Sequence, residues 1–351
     1  MADTAKNWKF ADILAMPEIG DRFAKVKRWF FLRESTYDMT SRCNIHCEGC
    51  YYYQGDKQFA PENGDPAAWR ALLAAEKERG VTFVVLAGAE PALVPELCRE
   101  CYAAIPLGAI ATNGLKTIAK DIDYRIHISI WGNDATSRAL RGATDMLKRQ
   151  IENYQDDDRA VFVYTFTPAN IAEAAEVAAT LAAHKLKLTF NMFSAPVGYS
   201  GPLRHDGESL AQTARMMAEL LRRFPETVLF SHYNITAHTN IQGLHQLFGC
   251  SYPRQNPSTA VGLGRSFRQY RADLNWDRAA ACCVPDTDCA DCRHYAAGSA
   301  VVTARMYRHA ETPELFSAWL DYVDTYLAVW VKGYEKSVNL LDYPGTPPEM
   351  G

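Results

Sequence analysis

From residue 35 onward, short apolar runs alternate with longer stretches in which apolar residues recur every three or four positions. The runs at 35–41, 82–87, 107–112, 124–131, 160–166 and 186–193 are rich in Val, Ile, Phe or Thr. They are bounded by Gly, Pro, Asn or Asp, as strands are. Between them a helical period covers Pro66 to Arg79, Val94 to Ala104, Thr136 to Tyr154 and Ile171 to His184. The last of these, Ile171-Ala-Glu-Ala-Ala-Glu-Val-Ala-Ala-Thr-Leu, adds high alanine content to the right spacing. Six strands alternating with helices predict an α/β fold with a parallel sheet and right-handed crossovers, open or curled toward a barrel. In either case the ligand site lies at the carboxyl ends of the strands.

The fourth strand, Arg125-Ile-His-Ile-Ser-Ile-Trp131, alternates strictly. Ile126, Ile128 and Ile130 then face the helices, and Arg125, His127, Ser129 and Trp131 face the interior. The same alternation turns Asn191 inward on the sixth strand. After Pro196 the rhythm stops. A long amphipathic helix over Gly207 to Phe224 leads into a loop-rich region, Gly249 to Arg293. A final helix follows over Pro313 to Glu335, with Trp319, Tyr322, Tyr326 and Trp330 read as packing, and the tail Tyr343-Pro-Gly-Thr-Pro-Pro is extended. The organisation expected is a lead-in at 1–34, a barrel-like unit at 35–200 and an extension at 201–351.

Composition narrows the function. The chain has 351 residues, 48% hydrophobic and 22% charged, close to the globular norm, which excludes disorder, collagen and coiled coil. A net charge of −4 gives no basic excess for a nucleic-acid backbone. The most apolar late stretch, Phe316 to Val331, carries Asp321 and Asp324, so no membrane span is expected. The start, Met1-Ala-Asp-Thr-Ala-Lys, lacks the apolar core of a signal peptide, and a cytoplasmic location is expected. Ten cysteines in such a compartment point to metal binding or chemistry rather than disulfides.

Three of them, Cys43, Cys47 and Cys50, stand in a C-x3-C-x2-C spacing at the carboxyl end of the first strand. Three thiolates on one tight loop can hold three irons of a [4Fe–4S] cluster and leave the fourth open. A structural zinc site prefers four closed ligands, commonly paired C-x2-C units. Here the sequence resembles the radical S-adenosylmethionine (radical SAM) superfamily, whose C-x3-C-x2-C loop follows the first strand of a partial (β/α)6, TIM-like barrel. The resemblance implies a [4Fe–4S] cluster whose open iron is chelated by S-adenosylmethionine. It implies one-electron cleavage of that molecule to methionine and a 5′-deoxyadenosyl radical.

Further motifs match in order over residues 35–195. Leu86-Ala-Gly-Ala-Glu-Pro91 resembles the family's Gly-Gly-Glu-Pro turn, which binds the methionine amino group and implicates Gly88, Ala89 and Glu90. Small residues let backbone approach closely, and acceptors must face an ammonium. Thr112-Asn113-Gly114 ends the third strand, Ser129 takes the family's ribose- and carboxylate-contacting position, and Asn191 is expected near the adenine. Arg125 and His127, also inward, are candidates to reach substrate or the S-adenosylmethionine carboxylate. Two departures stand out. The residue before the third cysteine, usually an aromatic packed near adenine, is Gly49, and Tyr51, Tyr52 or Tyr53 is expected to supply that packing. Ala89 replaces a glycine, a change that should still fit.

A second group, Cys250 with Cys282, Cys283, Cys289 and Cys292, suits a closed [4Fe–4S] cluster or structural zinc. It resembles the SPASM and twitch domains of radical SAM proteins. Five cysteines are too few for the full SPASM pattern, so one auxiliary cluster on Cys250, Cys282, Cys289 and Cys292 is expected, with Cys283 able to replace Cys282. Cys98 and Cys101 lie in a predicted helix and read as ordinary buried thiols. The expected function is a radical SAM enzyme acting on a small molecule or natural product and served by a reductase such as flavodoxin or ferredoxin. The alternatives are modification of a ribosomal peptide or protein, or, outside enzymes, an iron–sulfur electron carrier or zinc-stabilised binding protein.

Overall fold

The computed structural model describes residues 8–50, 52, 61–248, 268–276, 288–294, 302–303 and 305–337. All six expected strands form: β1 (Glu34–Asp38), β2 (Phe83–Ala87), β3 (Gly108–Thr112), β4 (Arg125–Ile130), β5 (Ala160–Phe166) and β6 (Leu188–Met192). A seventh, β7 (Gln269–Tyr270), is two residues long and pairs with β1. The order is β6-β5-β4-β3-β2-β1-β7, and every pair is parallel. Because β1 to β6 advance in one direction across the sheet, right-handed crossovers put the connecting helices on one face. That is the winding of a partial barrel rather than of an open doubly wound sheet.

The two faces of the sheet are two cores. Outward residues such as Leu86, Ile126, Ile128, Phe162 and Leu188 pack under α3 (Pro66–Glu78), α4 (Pro95–Ala104), α6 (Met146–Tyr154) and α7 (Ala174–Ala183). The helix α8 (Gly207–Arg223) joins the same layer through Leu210, Met217 and Leu220. It begins at a capping box between Asp206 and Ser209. Past the short helices α9 (His232–Thr239), α10 (Leu244–Phe248) and α11 (Met306–His309), the final helix α12 (Pro313–Trp330) meets the inward residues Phe83, Val85 and Ala109 through a cluster that includes Phe316, Trp319 and Val329. The short α1 (Phe10–Leu14) and α2 (Pro17–Lys27) pack on this cluster, and Arg22 pairs with Asp321. Each large side chain buried here contributes about 1.5–3 kcal/mol.

Three expectations are corrected. The helix over Thr136 to Tyr154 is two helices, α5 (Asp134–Arg141) and α6, because Gly142 caps α5 at φ +65° and Asp145 is left-handed at φ +52°. The final helix stops at Trp330 rather than Glu335, with Val331 extended. Arg125 and His127 do point inward, but not to a ligand. Arg125 donates from Nη2 to the carbonyls of Ala328 (3.0 Å) and Val331 (3.2 Å), and His127 Nε2 lies 2.9 Å from the carbonyl of Val329. The Ala328 and Val329 carbonyls lie in the last turn of α12, where no helical N–H reaches them, and Val331 follows directly, so a buried cation and an imidazole satisfy this end of the helix. Burial holds the imidazole down to about 4, so it is neutral and donates its Nε2 proton. Among the described residues no helix is long and apolar enough to cross a membrane.

Candidate active site

The carboxyl ends of the strands open into a cavity of about 250 Å³. Cys43, Cys47 and Cys50 line it, together with Gly88, Ala89, Glu90, Asn113, Ser129 and Asn191. Nine residues picked out along 149 positions of sequence therefore share one pocket. Tyr52, one of the three tyrosines expected to pack near adenine, lines the cavity as well, while Tyr51, Tyr53, Cys250, Cys282 and Cys283 lie outside the described residues, as does the side chain of Cys289.

The cysteine loop is held at several points. On its approach, Glu62 accepts from Thr40 Oγ1 and from the Ser41 N–H, both at 2.8 Å. The Glu48 N–H donates to the Leu140 carbonyl at 2.7 Å, and the Cys50 N–H to that of Cys47 at 3.3 Å. Two sulfurs face N–H donors: Asn113 Nδ2 is 3.6 Å from Cys43 Sγ, and Arg141 Nε is 3.5 Å from Cys47 Sγ. Burial pushes the Cys43 thiol above its ordinary range, a penalty that coordination to iron would reverse, since a ligating thiol is deprotonated outright.

The Gly88–Glu90 turn is stitched to the strand beside it. The Met39 N–H donates to Ala87 and the Ala89 N–H to Thr40. Gly88 sits at φ +92°, where a Cβ would lie 2.8 Å from the Met39 nitrogen, so only glycine fits. Glu90 is almost fully buried. It accepts from the Ala92 N–H (2.9 Å), Thr112 Oγ1 (2.7 Å) and the Asn113 N–H (2.8 Å). Burial raises its pKa, against those hydrogen bonds. Its carboxylate thus ties the end of β2 to the end of β3 and aims Asn113, while the small residues before it leave backbone open to the cavity.

Among the lining residues not singled out from the sequence, three make contacts that shape the site. Arg141, from the last turn of α5, donates to the Ser129 carbonyl as well as to Cys47. The break at Gly142 is what ends α5 there, and an arginine in a final turn before a glycine was the available signal. Phe193 extends the inward face of β6 by one more residue. A Cβ on Gly49 would come within 2.8 Å of its ring, so that ring fills space an aromatic at position 49 would need. His294 comes from the extension. The segment 288–294 docks against the end of β6: the Arg293 N–H donates to Ser194 Oγ at 2.9 Å, and the Asp288 N–H to the Ala195 carbonyl at 3.0 Å. Of the other cysteines, Cys98 and Cys101 are buried thiols in α4, Cys98 pushed up to about 12 by burial. Cys292 is half-buried.

Among the described residues no three His, Cys, Asp or Glu side chains form a ready metal site. The donor set nonetheless fits an open [4Fe–4S] cluster. Three thiols of one loop face one cavity, N–H donors meet two of the sulfurs, and Glu90 has its oxygens engaged elsewhere. Over 85 residues, 23% of this chain, the sequence is 33% identical to an S-adenosylmethionine-dependent nucleotide dehydratase of Thermoplasmatales archaeon (strain ISO4-H5). The matched stretch is 29% of that relative, so this chain spans under a third of its length. No family model matches.

Solved structures give similar folds at low identity. Native anSMEcpe with bound AdoMet and Cp18Cys peptide has a TM-score of 0.49 at 14% identity, over 72% of this chain and 74% of that one. SuiB of Streptococcus suis bound to precursor peptide SuiA scores 0.46 at 17%, over 58% and 50%. The FeFe-hydrogenase maturase HydG from Carboxydothermus hydrogenoformans scores 0.42 at 13%, over 92% and 87%.

Proposed function

We propose that this chain is a radical SAM enzyme. The observation that carries the reading is the meeting of the Cys43, Cys47 and Cys50 loop with the Gly88–Glu90 turn, Asn113, Ser129 and Asn191 in one cavity at the carboxyl ends of the strands. The three cysteines hold the cluster. Backbone of Gly88 and Ala89 faces the amino group of S-adenosylmethionine, Glu90 fixes that turn, and Arg141 offers its guanidinium to the carboxylate. The chemistry such a cluster supplies when bound is one electron for the reductive cleavage of S-adenosylmethionine to methionine and a 5′-deoxyadenosyl radical. The chain's part is to orient the sulfonium, to keep water from the radical with Trp131, Met192 and Phe193, and to hold a substrate beside it.

The substrate class we propose is a small molecule or natural product, supported by the sequence match to a nucleotide dehydratase. The electron comes from a reductase such as flavodoxin or ferredoxin. We extend the reading to an auxiliary cluster on Cys250, Cys282, Cys289 and Cys292, of which Cys292 lies in the segment that docks on the end of β6. Anaerobic reconstitution with iron and sulfide tests both parts. About eight irons per chain support two clusters and about four refute the second. The electron paramagnetic resonance spectrum of the reduced protein should shift when S-adenosylmethionine is added, and an unchanged spectrum would refute the enzyme reading.

A further inference from the structure

The amino end of the barrel carries a surface that the cavity does not use. A turn at 28–31 closes α2 and leads, through Leu32 and Arg33, into β1, so it lies at the end of the sheet opposite the cysteine loop. Its backbone is held by hydrogen bonds from the Trp29 N–H to the Val26 carbonyl, the Phe30 N–H to that of Lys27 and the Leu32 N–H to that of Trp29. Val26 and Leu32, buried on either side, fix the turn to the core. Between them Phe30 and Phe31 are 44% and 48% exposed. Among the described residues they are the one pair of exposed large apolar side chains adjacent in the sequence.

The two rings rise from an aromatic bed. Phe30 meets Phe23 at 6.0 Å and Trp319 at 6.4 Å, both edge-on, and Trp29 stacks on Phe31 at 5.9 Å. Around them the charge has one sign. Lys27, Arg28 and Arg33 are exposed, and among the described residues no carboxylate pairs with them, whereas Arg22 and Lys25 are taken by Asp321 and Asp324. The carboxylates of α2 itself, Glu18 and Asp21, lie in its first half. Half-exposed rings with cations before and after them match a layer of acidic headgroups over an acyl interior: the rings enter, and the cations stay at the headgroups. Other occupants match less well. Two copies of this surface would set like charges against each other across a two-fold axis. A reductase has to approach the cluster, which lies at the opposite end. A protein partner would need a shaped pocket for both rings with carboxylates fixed around it, and a bilayer needs neither.

We propose that the turn at 28–31 is a peripheral attachment site for an anionic lipid surface, with Phe30 and Phe31 entering the bilayer interface and Lys27, Arg28 and Arg33 on the headgroups. The attachment is weak and reversible, as two rings and three cations make it. It leaves the cavity, at the other end of the strands, open to substrate and reductase. The site does not depend on the radical SAM reading.

Sedimentation of the whole chain with lipid vesicles tests it. At low salt the protein should pellet with phosphatidylcholine vesicles that contain phosphatidylglycerol and stay in solution with phosphatidylcholine alone, and high salt should release it. Lys27→Gln with Arg28→Gln should lower the partition coefficient about 25-fold, about fivefold for each charge. Phe30→Ser with Phe31→Ser should lower it about tenfold or more. Arg222→Gln with Arg223→Gln, exposed on α8, removes the same charge elsewhere and should leave it unchanged. Circular dichroism shows that each variant is folded, and if a double variant is not, its two single variants decide. Failure to pellet with the mixed vesicles would overturn the proposal, and so would equal losses in the α8 variant. Binding to poly-glutamate that depends on Phe30 and Phe31 would assign the surface to an acidic polypeptide and overturn it as well. Cleavage of S-adenosylmethionine is measured apart from all of these, so either reading can fail alone.

Discussion

The two ends of the barrel interior are built from the same strands and do opposite work. At the amino end the space is filled: α12 runs in, its last carbonyls meet Arg125 and His127, and Phe83, Val85 and Ala109 close around it. At the carboxyl end Gly88, Ala89, Ala111, Ser129 and Asn191 leave a cavity in front of three thiols. β4 crosses from one regime to the other. Arg125 and His127 serve packing, while Ser129 and Trp131, two and four residues past His127, line the pocket. Facing inward therefore does not make a residue functional; its depth along the strand decides.

Substitutions at the two ends should separate cleanly. The largest effect belongs to the open end. Replacing Cys43, Cys47 and Cys50 by Ala should remove about four irons and bring S-adenosylmethionine cleavage to background with the thermal midpoint little changed. A variant that still cleaves would break the assignment.

Next, Glu90→Gln replaces a carboxylate that accepts three hydrogen bonds and leaves one donor facing its own amide. Cleavage should fall about 10- to 150-fold, since one poorly met charged hydrogen bond costs about 1.5–3 kcal/mol, and unchanged steady-state kinetics would place the turn outside the chemistry.

At the closed end the readouts reverse. Arg125→Met strips the end of α12 of its donor and should lower unfolding free energy by about 1–3 kcal/mol. Iron content and cleavage per folded molecule should be retained, and a denaturant titration beside an iron assay decides it. If cleavage failed with stability intact, Arg125 would belong to the site after all.

The most gradual effect is in pH. The native imidazole of His127 titrates near 4 and the unfolded one near 6.5. Between those values the unfolded chain takes up a proton that the native one refuses. Its share of stability is full above about pH 6.5 and is lost as pH falls toward 4, at no more than about 1.4 kcal/mol per unit. His127→Gln should flatten that part of the acid limb, and an unchanged slope would contradict the neutral imidazole.

Periodicity made the strands legible, because each strand carries its own apolar run, and motif spacing found most of the open end, because three cysteines, a small-residue turn and strand-end asparagines are local signals. The plugging of the closed end was not legible. Nothing local to Arg125 or His127 says that a helix some 200 residues later supplies their partners. The break in the 136–154 helix turns on the left-handed backbone at Gly142 and Asp145, which apolar spacing runs straight through. β7 has only two residues, too few to show alternation. Phe193 and His294 escaped for the same reason as the plug: one is read only against Gly49, the other only against Ser194, and both are contacts across the fold.

The central claim is that the open end cleaves S-adenosylmethionine. The most direct measurement is product analysis of anaerobically reconstituted protein, reduced with dithionite and supplied with S-adenosylmethionine. Equal amounts of methionine and 5′-deoxyadenosine are predicted. Cluster-loaded protein that forms neither would contradict the account.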